Sequence, residues 1–211
     1  RYVPYPDDVM VDLIADIKAV VPGYVRISRV LRDIPANYIV GGLRDSLRTT
    51  VRRKLEEQGR DCRCIRCREY GHRVRNGCEV GEARLSREDY EASGGREIFL
   101  SYVDDKDTLF GLLRLRIQPD DVNRLGRNKG GTTALVRELH VYGPEVPLKE
   151  QNPESAQHRG LGKALLAEAE RIAREEFHSP EIFVLSGVGA RDYYRNESGY
   201  TLDGHYMVKP L

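Results

Sequence analysis

The sequence predicts an α/β (α+β) protein: a mixed, mostly antiparallel sheet flanked by helices, with a smaller α/β fragment and a cysteine-bearing connector in front of it. Three observations carry that prediction. Strand-like apolar runs at 98–103, 109–117 and 133–142 are separated by turn-rich linkers. A helical stripe of Leu161, Leu165, Ala169, Ile172 and Ala173 then precedes a short apolar strand at 182–186. Charge and cysteine are concentrated ahead of both. Residues 44–75 carry eleven basic and five acidic side chains, a net +6, whereas 1–43 is neutral and 76–211 has a net charge of −5.

Taken in order, Pro4 and Pro6 precede Asp7-Asp8, and Val9, Leu13, Ile14, Ile17 and Val20 recur at helical spacing until Pro22-Gly23 ends the run. Tyr24 to Val30 alternates like a strand. One helix and one strand cannot bury their own apolar faces, so this part reads as the tail of a larger α/β domain. A basic helix over 44–58 stops at Gly59, and 60–80 is the connector. From Gly81 the strands begin. Asp104-Asp105-Lys106-Asp107 is a hairpin turn between the first two, and the runs around 128–131 and 144–156 are loops. A helix from Gly160 to about Phe177, a strand at 182–186, a short helix around 191–195 and a last strand near 205–208 complete the chain.

Composition excludes some classes. Hydrophobic residues make up 40% and charged ones 32%, which suits an ordinary core with no disordered or fibrous bias. No apolar run approaches membrane-spanning length, and residues 1–8 are not a signal peptide, so no membrane association is expected. The chain opens on Arg1, as a fragment would. Three of its four cysteines fall at 62, 64 and 67, too close together for a disulfide framework; a metal in a reducing, cytoplasmic setting is the expectation.

The first chemical motif is Gln157-His158-Arg159-Gly160-Leu161-Gly162, with Lys163, at the start of the long helix. A pyrophosphate needs several backbone N–H groups aimed at one point, and a helix N-terminus supplies them with a favourable dipole. The glycines let that backbone approach, and Arg159 and Lys163 add positive charge. The strand before it, 134–142, places Glu138 and His140 on one face and Leu139 and Val141 on the other. Either Glu138 or His140 is suited to take a proton from an attacking nucleophile. Tyr193-Tyr194 follows the next strand; a phenol there can protonate or hold a departing thiolate, and Tyr194 is the favoured member. Cys62, Cys64 and Cys67 suit a tetrahedral structural zinc, with His72 as preferred fourth ligand and Cys78 as the alternative. Their spacing is not C-x-x-x-C-x-x-C. The basic band, including Arg44, Arg48, Arg52, Arg53, Arg63, Arg66 and Arg68, points to a polyanionic partner such as nucleic acid.

These motifs have a family resemblance. Arg-Glu-Leu-His-Val-Tyr-Gly (137–143), the 157–162 turn, Glu-Arg-Ile-Ala-Arg-Glu-Glu (170–176) and Ser-Gly-Val-Gly-Ala-Arg-Asp-Tyr-Tyr-Arg (186–195) resemble the catalytic, third subunits of Elongator. So do Arg-Asp-Ile-Pro (32–35) and Gly-His-Tyr-Met-Val-Lys (204–209). The resemblance covers nearly the whole chain. It implies a GNAT acyltransferase fold in which the 134–142 strand, through Leu139, His140 and Val141, lies beside the pantetheine arm of acetyl-coenzyme A, with Tyr194 near its sulfur.

It further implies the end of a radical S-adenosylmethionine domain at 1–58, a zinc-binding basic connector at 59–80 and an acetyltransferase domain at 81–211. S-adenosylmethionine and a [4Fe-4S] cluster belong, on this resemblance, to a part of the protein outside this chain. The implied reaction is carboxymethyl-type modification of the tRNA wobble uridine, with tRNA and acetyl-coenzyme A as partners, and other Elongator-type subunits or a second copy of the chain beside them. One departure stands out: the family has two residues between Tyr-Tyr-Arg and Gly-Tyr, and this chain has three, Asn196-Glu197-Ser198. The competing readings are a protein-lysine acetyltransferase, which the +6 band disfavours for basic tails, and a non-catalytic tRNA-binding module, which would not need the 157–162 turn.

Overall fold

In the computed structural model, which describes residues 3–30, 38, 47–119, 131–143 and 160–211, helix α1 (Asp7–Val20) starts behind Pro6 with two acids in its first turn. Carboxylates there complement the helix dipole, and the chain turns extended at Val21, as a residue before proline does. The chain divides into two units, Arg1–Arg73 and Val74–Leu211. In the first, α1 packs Val11 and Ala15 against Leu47, Val51 and Leu55 of α2 (Leu47–Glu57). Lys54–Asp12 and Arg60–Asp16 ion pairs, both 2.7 Å, flank that seam. Of the stripe anticipated from sequence, Ile14 packs against this seam, but Val9, Leu13, Ile17 and Val20 are 45, 45, 49 and 76% exposed.

Tyr24 to Val30 is not a strand. Alternation alone does not make one without a partner, and this segment is instead pinned by single contacts. Ile65 donates its N–H to the Val25 carbonyl at 2.9 Å, and Arg68 donates Nη2 to the Gly23 carbonyl at 2.6 Å. Two short helices, α3 (Ile65–Arg68) and α4 (Tyr70–Arg75), run through the stretch that the sequence presented only as a connector.

The second unit is a seven-stranded sheet in the order β1-β2-β3-β4-β5-β7-β6. β1 (Arg84–Ala92), β2 (Gly95–Val103), β3 (Leu109–Gln118) and β4 (Thr133–Val141) are antiparallel neighbours. Helix α5 (Leu161–Glu175) then crosses over to β5 (Glu181–Val184), the one strand parallel to its neighbour, beside β4. Helix α6 (Arg191–Ser198), β6 (Thr201–Asp203) and β7 (Tyr206–Pro210) follow. β1 and β6 were not foreseen. β1 is charged along both faces and mostly exposed, so it has no apolar alternation to read, and β6 is three residues long.

Leu165, Leu166, Ala169, Ile172 and Ala173 of α5 bury against Ile98, Leu100, Leu113, Leu115, Ile117, Ala134 and Val136 of the sheet, all at most 4% exposed. This is the core. On the opposite face, Glu97 of β2 is 1% exposed and its Oε1 accepts from Arg116 of β3 at 2.7 Å and Arg137 of β4 at 2.6 Å. Register shifts between Arg114 and Leu115: Arg114 pairs with Glu138 and Leu115 with Val136, so Arg137 is the extra residue of a β-bulge.

The hairpin after β2 is held by one carboxylate. Asp104 Oδ1 accepts the backbone N–H groups of Thr108 at 2.7 Å and Lys106 at 3.0 Å, and Oδ2 accepts that of Gly81 at 2.9 Å. A Cβ at Gly81 would lie 2.8 Å from Asp105 Oδ1, so a side chain there would have to displace that exposed carboxylate. Burial alone would raise the Asp104 pKa, but the three N–H donors outweigh it and hold it below the ordinary carboxylate value. Asp104→Ala should therefore cost about 2–3 kcal/mol of unfolding free energy at neutral pH, from three backbone donors left unpaired. A depressed carboxylate stabilises the fold above its unfolded pKa and loses that contribution as pH falls through the folded one. Urea melts of parent and variant should differ at pH 7 and converge below about pH 4.

Candidate active site

The parallel pairing of β4 with β5 covers only Ala134–Val136 against Ile182–Val184. Past Val136 and its bulge, β4 continues to Val141 while β5 has ended, so the two strands part and leave a cleft. The cleft, of about 400 Å³, is walled by Leu139 and Val141 of β4, by Gly160, Gly162 and Lys163 at the start of α5, and by Ala190, Tyr193 and Tyr194 after β5. Small residues around Ala190, in Gly187-Val188-Gly189-Ala190, are the signal by which that wall was findable.

Gly160 caps α5 with φ of 82°, a left-handed conformation that a side chain disfavours, and among the described residues no side chain caps the helix. There is no acid in its first turn. The first N–H groups of a helix have no intrahelical acceptor, so this end offers uncompensated donors and positive potential to the cleft. Gly162 is glycine for a different reason: a Cβ there would lie 3.2 Å from the Tyr193 hydroxyl and 3.6 Å from Val141 Cγ2. Lys163 pairs with Glu197 of α6 across the mouth, both half-exposed. Gln157, His158 and Arg159, named from sequence with this turn, lie outside the described residues.

The tyrosines divide. Tyr193 turns its hydroxyl to the α5 end. Tyr194 is 7% exposed and belongs to the core cluster, edge-on to Tyr193 at 5.3 Å and to Tyr200 at 5.7 Å. Burial raises the pKa of both; at Tyr193 the Lys163 charge pulls it back and the Glu197 charge pushes it up. The three residues before Gly199 extend α6 by the end of a turn, and Gly199, with φ of 75°, closes it; its N–H and that of Tyr200 both go to the Tyr194 carbonyl. Tyr200 in turn donates to Glu170 of α5 at 2.9 Å, whose other oxygen holds Lys209 of β7 at 2.6 Å. This part-buried network, not visible in sequence, ties the segment that follows the tyrosine helix to α5.

Glu138 and His140 project from the face of β4 opposite Leu139 and Val141. Glu138 Oε2 accepts from Arg114 Nε at 2.8 Å, its registered neighbour, and the His140 ring sits 4.4 Å from that of Tyr142. Neither lines the cleft.

In the first unit, the Sγ atoms of Cys62, Cys64 and Cys67 lie within 4.8 Å of one another; among the described residues neither His72 nor Cys78 joins that group. Hydrogen bonds with Cys62 and Cys67 push the Cys64 pKa well down, and hydrogen bonds with Cys62 and Cys64 push that of Cys67 up. Lys18, 3% exposed, points its ammonium at Cys67 Sγ, 3.6 Å away. That lysine sits on the packed face of α1 and carried no sequence signal.

The arginines of the band are not equivalent. Arg52, Arg53, Arg63 and Arg66 are exposed and Arg48 is half-buried, while Arg52 pairs with Glu56 at 3.3 Å. Arg68 is 6% exposed and donates to two carbonyls, Arg63 at 2.9 Å and Gly23. Arg44 lies outside the described residues.

Residues 68–200 match the acetyltransferase (GNAT) family model. Over its 211 residues the chain is 62% identical to the tRNA uridine(34) acetyltransferase of Dehalococcoides mccartyi (strain CBDB1), spanning all of this chain and 46% of that protein. It is 46% identical to Elongator complex protein 3 of Drosophila melanogaster, spanning 38% of it. It superposes on the archaeal Methanocaldococcus infernus Elp3 with an N-terminal deletion at a TM-score of 0.85 and 44% identity, covering the whole of this chain and 50% of that one. The chain thus spans half or less of these relatives' length, and the resemblance to Elongator-type catalytic subunits drawn from its motifs is borne out. By its sequence from 68 to 200 and by the sheet that parts beside α5, this chain belongs to the acetyltransferase (GNAT) family.

Proposed function

We propose that this chain is the acetyl-coenzyme A-dependent acyltransferase part of an enzyme that makes carboxymethyl-type modifications at the tRNA wobble uridine, U34, by cleaving the thioester to supply the acetyl unit. The observation that carries this reading is the N-terminus of α5, with no acid in its own first turn, facing the cleft between β4 and β5. The printed name of the relative from Dehalococcoides mccartyi supports the RNA substrate. Bound acetyl-coenzyme A would bring an activated acyl thioester. The N–H groups of 160–163, with Gln157, His158, Arg159 and the Lys163 ammonium, hold its pyrophosphate. Leu139 and Val141, with His140 between them, offer strand backbone to the pantetheine arm.

Tyr193, kept protonated at neutral pH by its raised pKa, gives a proton or a hydrogen bond to the departing sulfur. Tyr194 positions it by ring contact. Glu138 and His140 act on the other face, holding β4 in register. Residues 1–58 read as the remnant of a radical S-adenosylmethionine domain, a reading that the exposed apolar stripe of α1 supports; S-adenosylmethionine and a [4Fe-4S] cluster would bind outside this chain. Other Elongator-type subunits, or a second copy, complete the assembly in the cytoplasm.

The connector, 59–80, is proposed to hold a structural zinc on Cys62, Cys64 and Cys67, with His72 or Cys78 fourth. Three thiolates on Zn²⁺ leave a net negative charge, which the buried Lys18 ammonium offsets. Purified protein should carry about one zinc per chain, and Cys64→Ser should lose it and destabilise the first unit by several kcal/mol. Elemental analysis with thermal melts reads both; a metal-free protein of equal stability overturns the site.

The exposed arginines are proposed to contact tRNA phosphates. Changing Arg53, Arg63 and Arg66 together to Ala should weaken tRNA binding for any sequence and lower the salt slope by about one unit per arginine. Gel shifts across a salt series check this. Arg68→Ala should instead unseat the connector, since its guanidinium serves backbone carbonyls.

The reading as a whole is tested by calorimetry with coenzyme A and by thioester cleavage with and without tRNA. Gly162→Ala separates fold from site: the helix gain of up to about 1 kcal/mol is opposed by the 3.2 Å contact of its methyl with the Tyr193 hydroxyl, so the melting temperature should move by only a few degrees, yet coenzyme A binding should weaken roughly tenfold as Tyr193 is displaced. Cleavage that responds to lysine peptides and not to tRNA would favour a protein acetyltransferase.

A further inference from the structure

The three residues that distinguish this chain from its family's pattern, Asn196-Glu197-Ser198, place Glu197 opposite Lys163. Lys163 is the third residue of α5 and forms part of the cleft wall. Its ammonium is therefore already paired, by a carboxylate carried on the helix that carries Tyr193. The pair is half-exposed at both ends, at 54 and 49%, and lies outside the core. Nothing in the packing of α5 or α6 requires it: α6 is closed by Gly199 and tied to α5 through Tyr200 and Glu170. It is also the sole acidic group brought to the first turn of α5 among the described contacts, since that turn has none of its own.

Resting on the cofactor reading above, we propose that Glu197 is a built-in competitor for the cofactor's phosphates. Its carboxylate holds Lys163 across the cleft mouth, and an anionic ligand must take Lys163 over from it. A single carboxylate yields to a multiply charged pyrophosphate, so the exchange sets affinity without closing the site. A weakly charged anion that reaches the mouth finds Lys163 already neutralised and gains little from it. The pair thus selects for ligands carrying several negative charges. The charges facing it are Tyr193 on α6 and the N-terminal dipole of α5. Lys163 has a raised pKa, mainly through its hydrogen bond to Glu197, and stays protonated throughout the neutral range.

The test is calorimetric titration of the full chain with coenzyme A, and separately with inorganic pyrophosphate, in parent, Glu197→Gln, Lys163→Met and the double variant. Glu197→Gln should bind both probes about two- to fivefold more tightly at low ionic strength, the range expected for freeing one exposed ion pair. Its affinity should fall more steeply with salt than the parent's, so that the two converge near 1 M. In the Lys163→Met background, Glu197→Gln should give a smaller gain. Equal or weaker binding by Glu197→Gln overturns the proposal and leaves the cofactor reading standing. A gain undiminished without Lys163 also overturns it, because Glu197 would then act by direct repulsion. No coenzyme A binding by the parent or the variant overturns the cofactor reading, and this proposal with it.

Discussion

The cleft exists because one pair of strands is short. Three residue pairs join β4 to β5, and the bulge at Arg137 ends the registered run just where β5 itself ends. A longer parallel pairing would close the sheet and bury the start of α5 against it. With the strands apart, the α5 N-terminus faces the cleft, and Leu139 and Val141 present a strand edge to the same space. Both consequences follow from backbone alone. That is why the site's polar chemistry can be sparse: among the described residues, one lysine and two phenols beside two glycines.

Rigidity is supplied from elsewhere in the unit. The α5 stripe buries fully against β2, β3 and β4, and the Tyr200–Glu170–Lys209 network joins α6, α5 and β7 at 2.6–2.9 Å. These contacts fix the angle between the two helices whose ends meet at the cleft. An α6 free to slide would carry Tyr193 out of line with Gly162, where the two approach closely enough that no methyl fits in contact-free space.

Much of this was legible in the sequence, for identifiable reasons. α5 was readable from its stripe and the cofactor turn from Gly160 and Gly162, because a positive φ and a close approach both select glycine. The β2, β3 and β4 strands were readable because each carries a long apolar face. Two kinds of feature were not. Faces of a helix that pack locally cannot be told from faces that await another partner, so α1 was read by Val9, Leu13, Ile14, Ile17 and Val20 when Ile14 alone of these packs beside Val11, Ala15 and Lys18. Side-chain pairings between distant elements leave no periodic trace, so the Lys18–Cys67 and Lys163–Glu197 contacts, and the burial of Arg68 within a basic run, came from three dimensions alone.

The charge triad on the far face of the sheet has an evolutionary corollary. Glu97 serves Arg116 and Arg137 with one oxygen, reaching from the second strand to the bulge on the fourth. Losing Glu97 strands the buried Arg116 guanidinium, and losing Arg116 leaves Glu97 with only the half-exposed Arg137, each at a cost of about 3–5 kcal/mol, whereas exchanging the Glu97–Arg116 pair for apolar residues of matching volume is close to neutral. Those two positions are therefore trapped together, while Arg137, 48% exposed, is freer to vary. Single-step drift is blocked at both, and lineages should either keep the pair or have replaced it as a block, with the bulge as the element whose shape must survive the exchange.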